Sequence, residues 1–252
     1  MAASATESLP VVLVPGLTCT ARLYAEQIPA LWQFGPVMVA DHRRDDSMAA
    51  IARRILAAAP PRFALAGLSM GGYIAFEIMR QEPKRVAKLA LLDTGSRADT
   101  PEQTERRRVL MALAKEGRYA DIPEQAFPVY VHRNRRGDEA LKRIVREMAE
   151  ATGIDAYLRQ QQAILSRSDS RPGLGAISCP TLVLVGKGDE ATPPELAREI
   201  AAGIPGSRLV LIPDSGHLST LERPAAVTNA LVEWLGHRSD HKAAYKAPDY
   251  AS

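Results

Sequence analysis

The sequence predicts an α/β fold, a doubly wound and mostly parallel sheet with a helical cap inserted after the fourth strand. Three observations predict it. Short runs rich in valine and leucine alternate with segments of helical periodicity, the pattern of repeated βαβ units. The alternation lapses once, over 97–175, where charged helical segments stand and no strand pattern is found. A serine among glycines sits where the third apolar run meets a helix, in Gly67-Leu68-Ser69-Met70-Gly71-Gly72.

The elements follow in order. Leu9 to Val14 is a continuous apolar run ending at Pro15-Gly16, as expected of a strand buried on both faces. Residues 20–33 predict a helix, and Pro36 to Ala40 a second strand. Asp45 or Ser47 is placed to cap a helix over Met48 to Ala59, which Pro60-Pro61 ends. Phe63 to Leu68 is the third strand and 70–80 its helix. Val86 to Leu92 is the fourth strand, and 102–116 and 138–150 are helical. Strands resume with Pro180 to Val185, then a helix with Pro193 or Pro194 in its first turn. Arg208 to Ile212 and a helix from about Leu221 to Leu235 complete the set. The expected division is a core of 9–96 and 176–236, a cap of 97–175 and a flexible tail of 237–252.

Composition narrows the function. Of 252 residues, 46% are hydrophobic and 24% charged, enough for one domain with a large core. The net charge of +3 does not point to nucleic acid or an anionic membrane. It arises in the cap, which holds 15 Lys and Arg against 12 Asp and Glu, while the remainder holds 17 of each. A solvated face accounts for such an excess, and so does a lid that favours anionic substrates. Cys19 and Cys179 are far apart, fit no metal spacing and are expected as free thiols in a cytoplasmic protein. The first residues carry no signal-peptide pattern, and no window has the ~18 apolar residues of a membrane span.

The serine junction carries the chemistry. G-x-S-x-G between a strand and a helix forces a sharp turn that pushes the Ser69 hydroxyl out at the sheet edge. Such a serine needs a base and an acid on the same edge. His217, in Asp214-Ser215-Gly216-His217 after the sixth strand, takes the base position among five histidines. Asp189, in Gly186-Lys187-Gly188-Asp189 after the fifth strand, is the expected acid, and Asp93 at the end of the fourth strand is its competitor. The backbone N–H groups of Leu17, in the turn after the first strand, and of Met70, at the helix start, are the expected oxyanion donors.

With these residues the chain resembles the α/β-hydrolase superfamily, in the compact group that includes the pimeloyl-carrier-protein methyl esterase and 3-oxoadipate enol-lactonase. The resemblance covers 9–96 and 176–236. It implies Ser69 as nucleophile, His217 as base, Asp189 as acid, and Leu17 and Met70 as oxyanion donors. The sequence departs from the group at Pro15-Gly16, where many relatives have His-Gly, and at Asp41 to Ser47, which replaces a glycine-rich loop. The antiparallel hairpin that often precedes the first strand is expected to be absent or reduced.

The expected activity is a serine carboxylesterase acting on small or medium acyl esters, with no metal or organic cofactor. The partner is a small-molecule ester or lactone. Phe127, Tyr130, Val131, Tyr157 and Ile164 are the expected substrate-binding residues of the cap. Neutral esters are expected to be preferred. The rival enzyme is a lactonase or enol-lactonase for a carboxylated ring, anchored by Arg133, Arg135, Arg136 or Arg159. A non-catalytic ligand-binding protein on the same fold is the alternative outside enzymes.

Overall fold

The structure, a computed structural model, describes residues 8–237. Six strands form one sheet in the order β2-β1-β3-β4-β5-β6, every neighbouring pair parallel. They are β1 (Val11–Val14), β2 (Val37–Val39), β3 (Phe63–Leu68), β4 (Val86–Leu92), β5 (Thr181–Gly186) and β6 (Arg208–Ile212). The helices are α1 (Ile28–Leu31), α2 (Met48–Ala58), α3 (Met70–Gln81), α4 (Pro101–Leu113), α5 (Asp121–Tyr130), α6 (Glu139–Thr152), α7 (Ile154–Leu165), α8 (Pro194–Gly203), α9 (Ser219–Glu222) and α10 (Pro224–Gly236).

Parallel strands covered on both faces must be apolar on both faces, and β1, β3 and β5 are buried at every position. Alternation then divides the core. Val12, Val14 and Leu65 face one apolar cluster with residues of α2, α3 and α8, whereas Val11, Leu13 and Ala66 face another with residues of α10 and the cap. The chain moves outward from β1 to β2, then crosses back to β3 and continues to β6. The loops after β1 and β3 therefore diverge at a topological switch point, where such sheets open a crevice.

Every regular element between β4 and β5 is helical: α4 to α7, a π-helical turn over Ala114–Arg118 and 3₁₀ turns. Two expectations are corrected, and one left open is decided. The helix over 20–33 is a 3₁₀ turn, Ala21–Tyr24, followed by α1. Pro29 fits only a first turn, so the helix restarts before it. The helix from Leu221 is two, α9 and α10, because Pro224 begins a new first turn. Ser47, not Asp45, caps α2, its hydroxyl accepting from Ala50 N at 3.3 Å. The expected tail lies, except for His237, outside the described residues.

Candidate active site

Ser69 follows β3 without a loop and stands just before α3, with φ 56° and ψ −115°. A non-glycine residue there is strained, and the surrounding bonds hold it: Ser69 N donates to Leu92 O at 2.9 Å, and the Thr94 hydroxyl donates to Ser69 O at 2.8 Å. The turn also needs close backbone approach. A Cβ on Gly67 would run into the Gly71 carbonyl, and one on Gly71 into the Val14 carbonyl.

His217 arrives five residues after β6 and Asp189 three after β5. His217 Nε2 lies 2.9 Å from Ser69 Oγ, and His217 Nδ1 lies 2.8 Å from Asp189 Oδ2. Asp189 is fixed in turn. Its Oδ1 accepts from Ala191 N and Thr192 N, each at 2.8 Å, and its Oδ2 from the Thr192 hydroxyl at 2.7 Å. Asp189 and His217 are 3% and 4% exposed, which keeps their charges in a low-dielectric setting. Burial pulls the His217 pKa down, but the charge and hydrogen bond of Asp189 outweigh it, and the net shift is upward.

Asp93, at the end of β4, is fully buried and makes no bond to His217. Its Oδ1 accepts from Gly186 N at 2.9 Å, and its Oδ2 lies against the Ser219 hydroxyl and N–H. Burial and the nearby Asp189 charge push its pKa to about 8, so at neutral pH it retains its proton. It ties the loop after β5 to the loop that carries His217.

The loop after β1 passes beside the serine. No hydrogen bond from the Leu17 or Met70 amide is found among the described residues. Two residues without a local sequence signal brace this loop. Fully buried Gln160, on α7, accepts from Thr18 N at 3.1 Å, and the buried His42 ring donates from Nε2 to Gly16 O at 2.9 Å. Burial lowers the His42 pKa, which keeps the ring neutral.

A second set of bonds joins the His217 loop to the cap. His217 N and Leu218 N both donate to Tyr130 O, at 3.0 and 3.2 Å. Buried Glu222 receives Gly216 N on one oxygen at 2.8 Å and His132 N on the other at 2.7 Å. The Tyr130 ring lies 5.4 Å from the His217 ring.

The space at Ser69 is a throat of about 20 Å³ lined by Leu17, Cys19, Leu68, Tyr130, Met148 and Leu218, among others. It shares Leu17, Thr18, Tyr130 and Val145 with a chamber of about 390 Å³ under the cap. Of the expected substrate-binding residues, Tyr130 lines both spaces and Tyr157 lines the chamber. Phe127, Val131 and Ile164 do not line either space; they pack into the apolar clusters against the sheet, which the cap needs in order to dock. Three of the four expected arginine anchors are engaged elsewhere, and the fourth, Arg133, lines neither space. Arg135 pairs with Asp138, Arg136 with Glu190, and Arg159 donates to Arg43 O. The chamber instead holds Arg106 and Arg107, which the sequence reading passed over. No group of residues suited to a metal ion is found among the described residues. No helix there is long and apolar enough to cross a membrane.

Comparison with known proteins agrees with this architecture. A family model described as the alpha/beta hydrolase fold matches residues 28–224. The chain is 33% identical to a thermophilic esterase from Thermogutta terrifontis, solved with malate bound, with a TM-score of 0.82 over 90% of this chain and 89% of that one. It is 30% identical to a 2-hydroxy-6-oxononadienedioate/2-hydroxy-6-oxononatrienedioate hydrolase from Klebsiella pneumoniae, over 68% of this chain and 61% of that enzyme. The fold is shared with an enol-lactonase from Burkholderia xenovorans, at 24% identity, a TM-score of 0.81 and 92% coverage of both chains. A parallel sheet with a strained serine after its third strand and a model match over most of the described residues lead to one conclusion: the chain belongs to the alpha/beta hydrolase fold family.

Proposed function

We propose that the protein is a Ser-His-Asp hydrolase of carboxylic esters with a small or medium acyl group, and that residues 97–175 act as the cap over its active site. One observation carries the reading: Ser69 Oγ, the His217 ring and Asp189 Oδ2 form a continuous relay with links of 2.9 and 2.8 Å. The imidazole accepts at Nε2 only when its proton sits on Nδ1, and the Asp189 carboxylate favours that tautomer because it can only accept.

In the proposed reaction, Ser69 Oγ attacks the ester carbon while His217 Nε2 takes the hydroxyl proton. Asp189 stabilises the imidazolium. The carbonyl oxygen becomes an oxyanion facing the Leu17 and Met70 N–H groups, and the start of α3 adds its positive dipole end. The imidazolium then protonates the leaving alkoxide. Water, deprotonated by the same imidazole, attacks the acyl-serine and releases the acid.

A chromogenic short-chain ester and a serine-directed phosphonate test this reading. The phosphonate should label Ser69 alone, and Ser69→Ala should lower turnover by about 10⁶-fold without a change in thermal unfolding. Labelling of another residue, or turnover that survives in the alanine variant, sinks the proposal. Absence of both labelling and turnover in the native protein would favour a ligand-binding role.

A further inference from the structure

Helix α4 is unusual for a helix that faces a cavity. None of its residues is buried, and it carries three consecutive arginines. Yet Gln103, Arg106, Arg107 and Leu110 all line the chamber, a stripe at i, i+3, i+4 and i+7. At those positions a helix normally turns apolar side chains toward its neighbours. Here three of the four are polar and two are cationic. The rest of the lining is mostly apolar and aromatic, with Ile122, Val129 and Tyr157 beside the polar Gln125 and Gln161.

The charges on this wall are not balanced. Arg108 pairs with Glu105 and Arg107 with Asp99, whereas Arg106 has no ion pair among the described residues. Arg107 donates from Nε to Asp99 at 2.6 Å and from Nη1 to Gln161 at 2.9 Å, leaving Nη2 without a partner among the described residues. Asp99 is shared with Arg167 at 2.8 Å, so two guanidinium groups share one carboxylate. The remaining charged residue of the chamber lining, Glu190, is held by Arg136 at 2.7 and 2.8 Å. Both chamber arginines also act on the serine end. Burial raises the Tyr130 pKa, and the charges of Arg107 and Arg106 oppose that rise.

We propose that Arg106 and the free Nη2 edge of Arg107 form a carboxylate-binding site in the outer chamber, so that the preferred substrates are esters carrying a second, free carboxylate, such as half-esters of dicarboxylic acids. This rests on the serine hydrolase reading. The throat at Ser69 has room for about one water beyond its lining, so a substrate held there extends into the larger chamber through the shared residues. The far end of a dicarboxylic half-ester then meets the α4 wall. Guanidinium groups suit this task because their planar N–H fork matches a carboxylate. The assignment reverses the preference for neutral esters that the small net charge of the cap predicts, because the excess is focused on one wall of the cavity.

Two measurements test the site together. Glutarate binding is measured by calorimetry against its neutral diamide, and kcat/KM is compared for monomethyl and dimethyl glutarate. Arg106 is exposed, so Arg106→Gln leaves the packing intact. Glutarate should bind the native protein in preference to the diamide, and Arg106→Gln should weaken it roughly tenfold, with Arg106→Lys restoring part of the loss. The same variant should raise KM for the half-ester by a similar factor, leaving kcat and the diester nearly unchanged. Equal binding of glutarate and diamide, or equal loss on both esters in Arg106→Gln, overturns the anion site. If glutarate binds as expected but neither ester is cleaved, the site stands and the hydrolase reading fails. If both esters are cleaved without discrimination, the hydrolase reading stands and the site fails.

Discussion

Replacing Asp189 by asparagine, with Asp93→Asn as its control, separates the two carboxylates near His217. In Asp189→Asn the amide oxygen belongs where Oδ1 now is, because Ala191 N and Thr192 N both donate there. The NH₂ group then occupies the Oδ2 position, 2.8 Å from His217 Nδ1. Two donors cannot face each other at that distance, so Nδ1 gives up its proton and Nε2 acquires it. Nε2 then donates toward Ser69 Oγ and cannot take its proton. Loss of the correct tautomer in this way costs about 10⁴-fold in turnover, or about 5 kcal/mol of barrier. Asp93→Asn has no such effect. Burial and the Asp189 charge raise the Asp93 pKa to about 8, which favours the neutral form at pH 7, and the amide keeps two of its bonds, oxygen to Gly186 N and NH₂ to the Ser219 hydroxyl, while losing the acceptor for Ser219 N. Its stability should fall by about 1–3 kcal/mol for that one donor, whereas Asp93→Ala leaves the Gly186 and Ser219 donors all unpaired at about the same cost for each. Steady-state hydrolysis at pH 7 and thermal unfolding of the three variants provide the comparison. Asp189→Asn retaining more than a tenth of native kcat, with Asp93→Asn crippled, would refute the tautomer argument and transfer the acid role to the end of β4.

Two further outcomes are expected. His217 acts as a base only when neutral, and its folded pKa is raised above the ordinary 6.5, so kcat/KM should fall on the acid side with a midpoint above that value. In Asp189→Asn the largest raising influence is gone and burial remains, so the midpoint should move to lower pH; a midpoint at or below 6.5 in the native protein would contradict the assignment. Gln160→Leu removes the acceptor for Thr18 N and loosens the turn that presents Leu17. It should lower kcat about tenfold with little change in KM, a fraction of the ~10²–10³ attached to an oxyanion donor, and an effect confined to KM would place Gln160 in binding instead.

What the sequence disclosed depended on how local each signal is. The Ser69 turn was readable because strand, glycines and helix are contiguous, and the predicted bounds of β3, β4 and β6 agree with those of the structure. The positions of His217 and Asp189 followed from the parallel topology, which brings every strand end to one edge. The braces were not readable. His42 and Gln160 meet across 118 positions, and nothing near either residue marks it as support for the turn at Gly16 to Thr18. The cap misled for a different reason. Phe127, Val131 and Ile164 are apolar because a cap must dock, and apolarity does not say whether a residue faces the sheet or a cavity. The chamber wall of α4 was overlooked because its side chains are charged and read as a solvated surface. The confinement of apolar residues to its last turns, Val109 to Leu113, with only polar side chains from Glu102 to Arg108 in a segment that still has to sit on the domain, was the available clue.

The bonds among Tyr130, His132, Gly216 and Glu222 divide the cap into two parts with different freedom to vary. The end of α5 and the His217 loop share backbone hydrogen bonds, so a length change or tilt there displaces the His217 ring along with the cap. Helix α4 is attached differently, with no buried residue and side chains that reach the chamber. Gln103 and Arg106 on its inner stripe are exposed, so substitutions there alter the proposed recognition in the chamber at little cost to folding, and they leave the reacting groups in register. A lineage, or a directed library, could therefore retune the proposed acid preference through Gln103 and Arg106 while Arg107, tied to Asp99, and the groups at the sheet edge stay constant.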